Sequence, residues 1–317
     1  MWYKINVACL ILLGIFALPV QAGIFGISPK DRQEFVQARE TYNSGDYEKA
    51  VQDLSAYIYK TKNIKRREAR AYRLLGLSYE KLNHPEKALE VYQEALEFHQ
   101  KNIPLLLAAA QLYQRSELTD RSIELYDRVL QLEPDNTEAL SGQGQNYIDI
   151  GFYSKARQFY DQFFALQPQA PALHRARYAY AFLSQRDYEN AFINAVMALT
   201  EMPQEPNYWL LAARACMGLN LPQEALRNLD TAILLAPQRT ELRALKALWL
   251  YQQKQTDESL RLARQLLQEN PENELALFTV YLNLKQKSPK EAKKALAQIS
   301  ALDTGSFAQR VAEKLLQ

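Results

Sequence analysis

The sequence is poor in glycine and cysteine and carries almost no net charge. Its 317 residues include ten glycines, too few for a chain of many short strands and turns. The 38 basic side chains nearly balance 36 acidic ones, so no strong field draws the molecule toward nucleic acid. Of the two cysteines, Cys9 lies in the N-terminal segment, and removal of that segment leaves Cys216 without a disulfide partner.

Motifs for catalysis and metal binding are also missing from the sequence. His84, His99 and His174 have no metal-ligand spacing, and no Gly-x-Ser-x-Gly elbow occurs. Gly142-Gln143-Gly144 suggests a nucleotide loop, but no strand precedes it and Gly144 has a packing role in the repeat described below. We therefore expect no enzymatic activity, no cofactor and no metal.

Residues 1–22 are predicted to be an export signal. Lys4 supplies a positive start, an apolar run follows over residues 7–18, and Val20-Gln21-Ala22 places small or modest residues at a cleavage site. Cleavage is expected after Ala22, and residues 23–30 would form a linker. The alternative is an uncleaved membrane anchor, since the apolar stretch nearly continues to Ile27. Both interpretations place the rest of the chain outside the cytoplasm, in the periplasm or elsewhere in the cell envelope.

A period of about 34 residues runs through the remainder of the chain. Five prolines, Pro134, Pro168, Pro203, Pro237 and Pro271, are separated by 34, 35, 34 and 34 residues. Small residues recur in two columns 24 and 12 residues before each proline, with two further units upstream. The columns are Ala38, Gly76, Ala110, Gly144, Ala179, Ala213 and Ala247, and Ala50, Ala88, Ser122, Ala156, Ala191, Ala225 and Ser259. Matched small residues on successive helices let the helices cross closely, so each unit is predicted to be a helical hairpin.

Two segments carry a family resemblance. Residues 137–168 resemble a tetratricopeptide repeat through Leu140, Gly144, Tyr147, Gly151, Tyr153, Ala156, Tyr160 and Pro168. Residues 68–98 match through Tyr72, Leu75, Gly76, Tyr79, Ala88, Tyr92 and Ala95. The resemblance implies an all-α fold, an α-solenoid of antiparallel helix hairpins wound as a right-handed superhelix.

The predicted array covers residues 31–302. Seven repeats begin near Asp31, Ala69, Ile103, Thr137, Ala172, Pro206 and Thr240, and four extra residues extend the loop near residues 61–67. Glu274–Leu302 is predicted to be a degenerate eighth hairpin, with SPKEAKKAL in place of its second helix. Residues 303–317 are predicted to form a capping helix whose Phe307, Val311, Leu315 and Leu316 cover the end of the stack.

The resemblance also implies a concave face that is lined by the first helix of each hairpin and holds a peptide or helix of a partner protein. Carrying the family's groove positions across gives Arg32, Phe35, Arg39, Arg70, Arg73, Leu77, Gln111, Gln145, Ala176, Tyr180, Leu210, Arg214, Leu248 and Tyr251. The polar and aromatic members are the predicted contact residues. The family's carboxylate clamp needs lysine and asparagine where this chain has Phe35 and Arg39, so that ligand is not predicted.

Two interpretations of the arginines remain open. Arg39, Arg70 and Arg73 bind an acidic segment or a free carboxylate, or they pair with acids on neighbouring helices. The basic run of residues 62–67 is interpreted as a solvated loop between repeats, in preference to a contact with anionic lipid headgroups or with a nucleic-acid backbone.

The leading functional hypothesis is a non-catalytic scaffold in the bacterial cell envelope that helps to assemble a secretion, pilus, polysaccharide-export or outer-membrane machine. The alternative is a glycan- or cell-wall-binding protein that uses Tyr180 and Tyr251. Membrane contact is expected only through an uncleaved N-terminal segment, and the sequence leaves the oligomeric state open.

Overall fold

The computed structural model describes residues 28–61, 68–302 and 304–316. Within these residues the chain forms seventeen α-helices and no strand. It divides into two compact units, residues 1–146 (unit 1) and residues 147–317 (unit 2). The predicted export signal and the basic run of residues 62–67 lie outside the described residues.

The helices alternate as the first and second members of hairpins. Unit 1 contains α1 (Pro29–Asn43), α2 (Tyr47–Thr61), α3 (Ala69–Lys81), α4 (Pro85–Phe98), α5 (Ile103–Arg115), α6 (Thr119–Leu132) and most of α7 (Thr137–Asp149). Unit 2 contains α8 (Tyr153–Leu166), α9 (Ala172–Ser184), α10 (Tyr188–Glu201), α11 (Pro206–Gly218), α12 (Pro222–Leu235), α13 (Thr240–Gln252), α14 (Thr256–Glu269), α15 (Glu274–Leu284), α16 (Pro289–Ser300) and α17 (Phe307–Leu316). Six of the seven predicted repeat starts coincide with the first residue of a helix.

The remaining predicted start, Asp31, is two residues too late, because α1 begins at Pro29. Ser28 caps this helix, its Oγ accepting the backbone N–H of Asp31 at 3.1 Å. A serine cap followed by proline in the first turn is a strong start signal, since proline lacks only an N–H that the helix leaves unused there.

Each of the first seven hairpins turns through one residue in the left-handed backbone region. These residues are Gly45, Asn83, Glu117, Gly151, Arg186, Asn220 and Lys254, with φ between 58° and 85°. The backbone then closes the first helix, as where the N–H of His84 donates to the carbonyl of Tyr79 at 2.9 Å. This six-residue closure satisfies carbonyls that the helix end would leave unpaired.

The two columns of small residues lie at the helix crossings, and all fourteen members are buried. Gly76 shows why size matters there, since a Cβ on this residue would lie 2.2 Å from the ring of Tyr92. Gly142 stands in the same relation to Tyr126, at 2.3 Å. The Gly142-Gln143-Gly144 run therefore belongs to helix packing.

Two buried polar contacts pin a hairpin to the one that follows it. In unit 1, Asn146 donates through Nδ2 to Ser122 Oγ at 2.9 Å, and Ser122 donates to the carbonyl of Ala110 at 2.9 Å. In unit 2, Asn283 donates to Ser259 Oγ at 2.9 Å, and Ser259 donates to the carbonyl of Ala247 at 2.8 Å. Both serines occupy second-helix positions that hold alanine in the other hairpins.

The C-terminal end differs from the sequence prediction in two respects. The segment SPKEAKKAL (residues 288–296) was predicted to stand in place of a second helix, but it forms the N-cap and the first part of one. This helix, α16, has 12 residues and buries Ala292, Ala295, Leu296 and Ile299. Phe307 and Leu315 do not cover the stack, since they are 73% and 52% exposed. Ala312 is the residue of α17 that packs fully against Leu277, Leu296 and Ile299.

Candidate functional site

The predicted contact residues lie on first helices, and their exposure follows the position within the repeat. The residue directly after each small position of a first helix is exposed or half-buried in all seven hairpins. This column comprises Arg39, Leu77, Gln111, Gln145, Tyr180, Arg214 and Leu248. Within each unit, a partner that lies along the first helices would meet the members of this column.

The column three residues before the small position is mostly buried. Phe35 is 9% exposed, and its ring lies 5.4 Å from that of Tyr57 in α2. Leu107 and Ala176 are also buried, whereas Arg73 stays half-buried. Phe35 is therefore a core residue of the first hairpin and a correction to the predicted contact set.

Unit 1 carries arginines without acidic partners on its first helices. Arg32 and Arg39 are exposed two turns apart on α1, and Arg73 is half-buried on α3. Across the described part of the chain these three form no ion pair or side-chain hydrogen bond, and Arg70 Nε only approaches Glu68 Oε1 at 4.0 Å. Of the two interpretations of these arginines, the geometry favours the one in which they are available to a ligand.

Three acids on the same two helices, α1 and α3, are bound to other groups. Lys60 of α2 contacts Asp31 at 2.7 Å and Glu34 at 2.8 Å, and its hydrogen bond lowers the pKa of Asp31. Glu80 of α3 pairs with Arg115 of α5 and accepts the hydroxyl of Tyr92 at 2.7 Å. These three carboxylates are therefore engaged by groups other than Arg32, Arg39 and Arg73.

The two glutamines of the predicted set lie farther along unit 1. Gln111 is half-buried and donates through Nε2 to the carboxylate of Glu138 in α7. Gln145 is half-buried one residue after the small position of α7. Both side chains carry amide groups and both already make contacts, so a ligand would have to displace these contacts.

In unit 2 the predicted residues form a mixed aromatic and basic surface. Tyr180 is 37% exposed and meets Tyr153 edge to face, with ring centroids 6.0 Å apart. Burial, followed by the charge of Tyr153, raises the pKa of Tyr180, and the field of exposed Arg214 opposes this rise. Tyr251 is half-buried on α13. Tyr180 and Arg214 occupy the same position on two successive first helices, α9 and α11.

A cavity of about 480 Å³ between the second and third hairpins of unit 1 was not predicted. Leu77, Glu80, Lys81, Leu112 and Arg115 line it. The sequence signal for it was weak, because Glu80 and Arg115 come from different repeats and different columns. Their ion pair becomes evident only when α3 and α5 are placed side by side.

The described residues with catalytic or metal-binding side chains show no arrangement of the kind that catalysis or metal binding needs. Cys216 is 1% exposed, and burial raises the pKa of its thiol although Asn228 donates to Sγ at 3.5 Å. Among the described residues, no three histidine, cysteine, aspartate or glutamate side chains are grouped so as to hold a metal ion. None of the helices in the described ranges has the length and apolarity needed to cross a membrane.

Comparison with known proteins points to one repeat family. A family model described as "Psidin, N-terminal TPR repeats region" matches residues 39–202. The human RANBP2-like and GRIP domain-containing protein 8 is 32% identical over 103 residues, which are 31% of this chain and 6% of that protein. The chain thus spans a small fraction of the length of this relative.

Solved structures agree in fold. A tetratricopeptide repeat protein from Parabacteroides merdae is 19% identical, with a TM-score of 0.58 over 81% of this chain and 100% of that one. YrrB, described as a TPR protein with an unusual peptide-binding site, is 16% identical, with a TM-score of 0.54 over 61% of this chain and 97% of that one. At these identities the likeness concerns the fold.

Proposed function

Because the chain belongs to the tetratricopeptide repeat family, we propose that it is a non-catalytic adaptor that binds an acidic segment of another protein on its first helices. Stacked hairpins of this family commonly hold peptide partners, and YrrB, which shares the fold, has a peptide-binding site. The proposed ligand is a polypeptide because the accessible column of unit 1 combines basic, amide and apolar side chains, namely Arg39, Gln111, Gln145 and Leu77.

The observation that carries the proposal is the set of uncompensated arginines in unit 1. Arg39 and Arg73 stand on adjacent first helices, and neither contacts an acid among the described residues. A guanidinium group offers a rigid fork of donors that suits a carboxylate, and arginine is frequent at the centres of protein interfaces. An acidic partner segment would supply the missing counter-charges.

A photo-crosslinking experiment in intact cells tests this proposal. A photoreactive residue at Leu77, in the accessible column between the arginines, is expected to give a discrete adduct with one protein. The double substitution Arg39→Gln and Arg73→Gln is expected to reduce this adduct at least about tenfold, since charge-assisted hydrogen bonds are worth about 1.5–3 kcal/mol each.

Two controls separate the site from the rest of the surface. A photoreactive residue at Glu90, exposed on the second helix α4, should not give the same adduct. Arg121→Gln with Arg227→Gln removes two exposed second-helix arginines and should leave the Leu77 adduct unchanged. Equal adducts from both positions, or an adduct that survives the loss of Arg39 and Arg73, would refute the proposed site.

We also propose that the adaptor works in the bacterial cell envelope, in the assembly of an envelope machine. The support is the N-terminal sequence, with its positive start, apolar run and small residues before Gly23. N-terminal sequencing of the protein from fractionated cells is expected to find Gly23 first in the envelope or periplasmic fraction. Recovery of the chain with Met1 intact in the cytoplasm would contradict this assignment.

A further inference from the structure

A basic helix face and an apolar helix face, on the adjoining helices α16 and α17 at the C-terminal end of unit 2, are separate from the partner surface described above. Residues 285–294 contain five lysines and one acid. The lysines are Lys285, Lys287, Lys290, Lys293 and Lys294, and all five are exposed. The single acid, Glu291, is held by Arg264 of α14 at 2.7 Å.

The lysines are uncompensated and three of them share one helix face. Lys290, Lys293 and Lys294 follow a helical spacing on α16, opposite the buried Ala292, Ala295 and Leu296. Within the described ranges none of the five lysines forms an ion pair or a side-chain hydrogen bond. Their charges therefore project into solvent.

The neighbouring helix α17 carries two apolar stripes. Ala308, Ala312 and Leu316 form the inner stripe and pack against the last hairpin, with Ala312 fully buried. Phe307, Val311 and Leu315 form the outer stripe with a spacing of four residues, and Phe307 and Leu315 are 73% and 52% exposed. Val311, the middle residue of the outer stripe, is half-buried, so Phe307 and Leu315 are its exposed members.

From these two features we propose that the C-terminal end of unit 2, formed by the lysines of α16 and the outer stripe of α17, binds a membrane surface that contains anionic lipids. Lysine clusters gain affinity from the negative potential of such a surface, and exposed phenylalanine and leucine on an amphipathic helix enter the interface. Since α17 packs on α16, both features belong to the same end of the unit.

The choice of lysine over arginine favours lipid over an acidic protein as the ligand. No arginine occurs in residues 285–294, whereas the first helices of unit 1 present arginines. Lysine is a hydrated point charge suited to a diffuse, mobile layer of headgroups, and arginine is suited to fixed carboxylates that it can bind with two hydrogen bonds. Either interpretation of the N-terminal sequence would also bring the chain to a membrane during its biogenesis.

Hydrogen exchange of the full chain with lipid vesicles tests the proposal. Vesicles of phosphatidylcholine with about a third phosphatidylglycerol are expected to slow exchange in residues 285–316, and vesicles of phosphatidylcholine alone are not. The readout is local, so an N-terminal segment that inserts into both vesicle types cannot produce the signal. Loss of the difference between the two vesicle types would overturn the proposal.

Substitutions then separate the two contributions. Lys290→Gln, Lys293→Gln and Lys294→Gln together should weaken partitioning to anionic vesicles about a hundredfold, because each lysine near such a surface contributes a factor of about five. Lys49→Gln, Lys101→Gln and Lys254→Gln make the same charge change at other exposed positions and should have little effect.

The apolar stripe has its own matched pair. Phe307→Ser with Leu315→Ser should remove the part of the vesicle binding that survives high salt, whereas Leu221→Ser with Leu234→Ser, also exposed, should not.

Poly-glutamate tests the competing possibility that the ligand is an acidic polypeptide. Protection of residues 285–316 by poly-glutamate but not by anionic vesicles would assign this surface to an acidic polypeptide and reject the membrane proposal. This result is independent of the Leu77 crosslink, so either proposal can fail alone.

Discussion

Three hairpin turns place a residue other than glycine or asparagine in the left-handed backbone region, and substitution of these residues could make the protein more stable. Glu117, Arg186 and Lys254 have φ near 60° in turns where Gly45 and Gly151 occupy the same position in other hairpins. A residue with a Cβ pays roughly 1–2 kcal/mol in the left-handed region, because Cβ crowds the following carbonyl. The backbone bonds that close the helix evidently outweigh this strain.

Lys254→Gly is therefore expected to raise the free energy of unfolding of unit 2 by about 0.5–1 kcal/mol. This figure is the strain that is relieved minus the free-energy cost of ordering glycine, which is more flexible than lysine in the unfolded chain. The midpoint of urea unfolding should rise without a change in slope. Gly151→Ala is the reverse control, since no atom lies within 4 Å of an added Cβ and only its φ of 78° opposes the change. A gain in stability for Gly151→Ala would show that φ does not control these turns.

His174 is a second residue that lowers the stability of the fold, because its imidazole ring is partly buried. Its ring lies 4.7 Å from that of Phe163, its Nδ1 is buried without a hydrogen-bond partner, and burial lowers its pKa from the ordinary value of 6.5. The folded protein therefore binds this proton more weakly than the unfolded chain. Stability is complete above about pH 6.5 and decreases as the pH falls from there toward the lower pKa of the folded state.

His174→Phe is expected to remove this part of the pH dependence. The wild-type chain should lose up to about 1.4 kcal/mol per pH unit in the affected window, and the variant should lose less. Urea unfolding at pH 7.5 and 5.0 measures the difference. His84→Gln, in an exposed turn, should retain the wild-type dependence. Parallel losses in the wild type and His174→Phe would contradict the assignment.

At the scale of helices, two buried serine–asparagine contacts join consecutive hairpins, Ser122 with Asn146 and Ser259 with Asn283. We call each contact a pin, because it fixes the position of one hairpin along the next, which the columns of small residues alone would not do. Asn146 is satisfied on both sides, because its Oδ1 accepts Gln114 Nε2 at 2.6 Å. The matching Oδ1 of Asn283 is buried without a partner in the described chain. The asparagine side chain thus has hydrogen bonds to both its Nδ2 and its Oδ1 in unit 1, but only to its Nδ2 in unit 2 among the described residues.

This difference predicts unequal costs for the same substitution. Asn146→Leu should destabilise by about 1–3 kcal/mol, since Ser122 and Gln114 lose a buried partner, and Asn283→Leu should cost less. Combining Asn146→Leu with Ser122→Ala should cost less than the sum of the two single changes, because they share one interaction. Additive costs in this double-mutant cycle would show that the pin contributes nothing of its own.

At the scale of the molecule, a stack of hairpins must cover the apolar side of its last member. Leu277, Leu296 and Ile299 of the eighth hairpin are buried beneath α17, and Ala312 is the residue in closest packing with them. Repeats that end without such a cover expose a continuous apolar face and tend to aggregate. The cover is formed by Ala308, Ala312 and Leu316, and Ala312 is its fully buried member.

Ala312→Asp is expected to undock α17, because an unpaired charge would be buried. Hydrogen exchange should become fast in residues 307–316, and light scattering should report self-association. Lys314→Asp introduces the same side chain at an exposed position of the same helix and should do neither. Unchanged exchange in the Ala312 variant would mean that α17 is not held by this contact.

The charge of the molecule is balanced overall but not locally. A net charge of +2 conceals uncompensated arginines on the first helices of unit 1 and uncompensated lysines at the end of unit 2. Total charge decides nonspecific attraction, whereas binding depends on which charges lack a partner nearby. The two surfaces differ in residue type and therefore in the ligands proposed for them.

Much of the architecture follows from the sequence alone. Prolines at a period near 34 residues and two columns of small side chains predicted the helix starts and the crossings, and the described helices agree at six of seven starts. These signals are local and steric: proline cannot continue a helix, and a large side chain such as that of Tyr92 leaves room only for Gly76 opposite it.

The composition of the surface depended on contacts between repeats. The family resemblance placed Phe35 among the groove positions, but its ring packs on Tyr57. The pairing of Glu80 with Arg115 joins residues 35 apart in sequence. Likewise α17 has two apolar stripes, and the packing of Ala312 selects the one that is buried. Periodicity identifies the faces of a helix, but the neighbouring helices determine which face is covered and which charges stay unpaired, because burial and ion pairing are properties of the assembled fold.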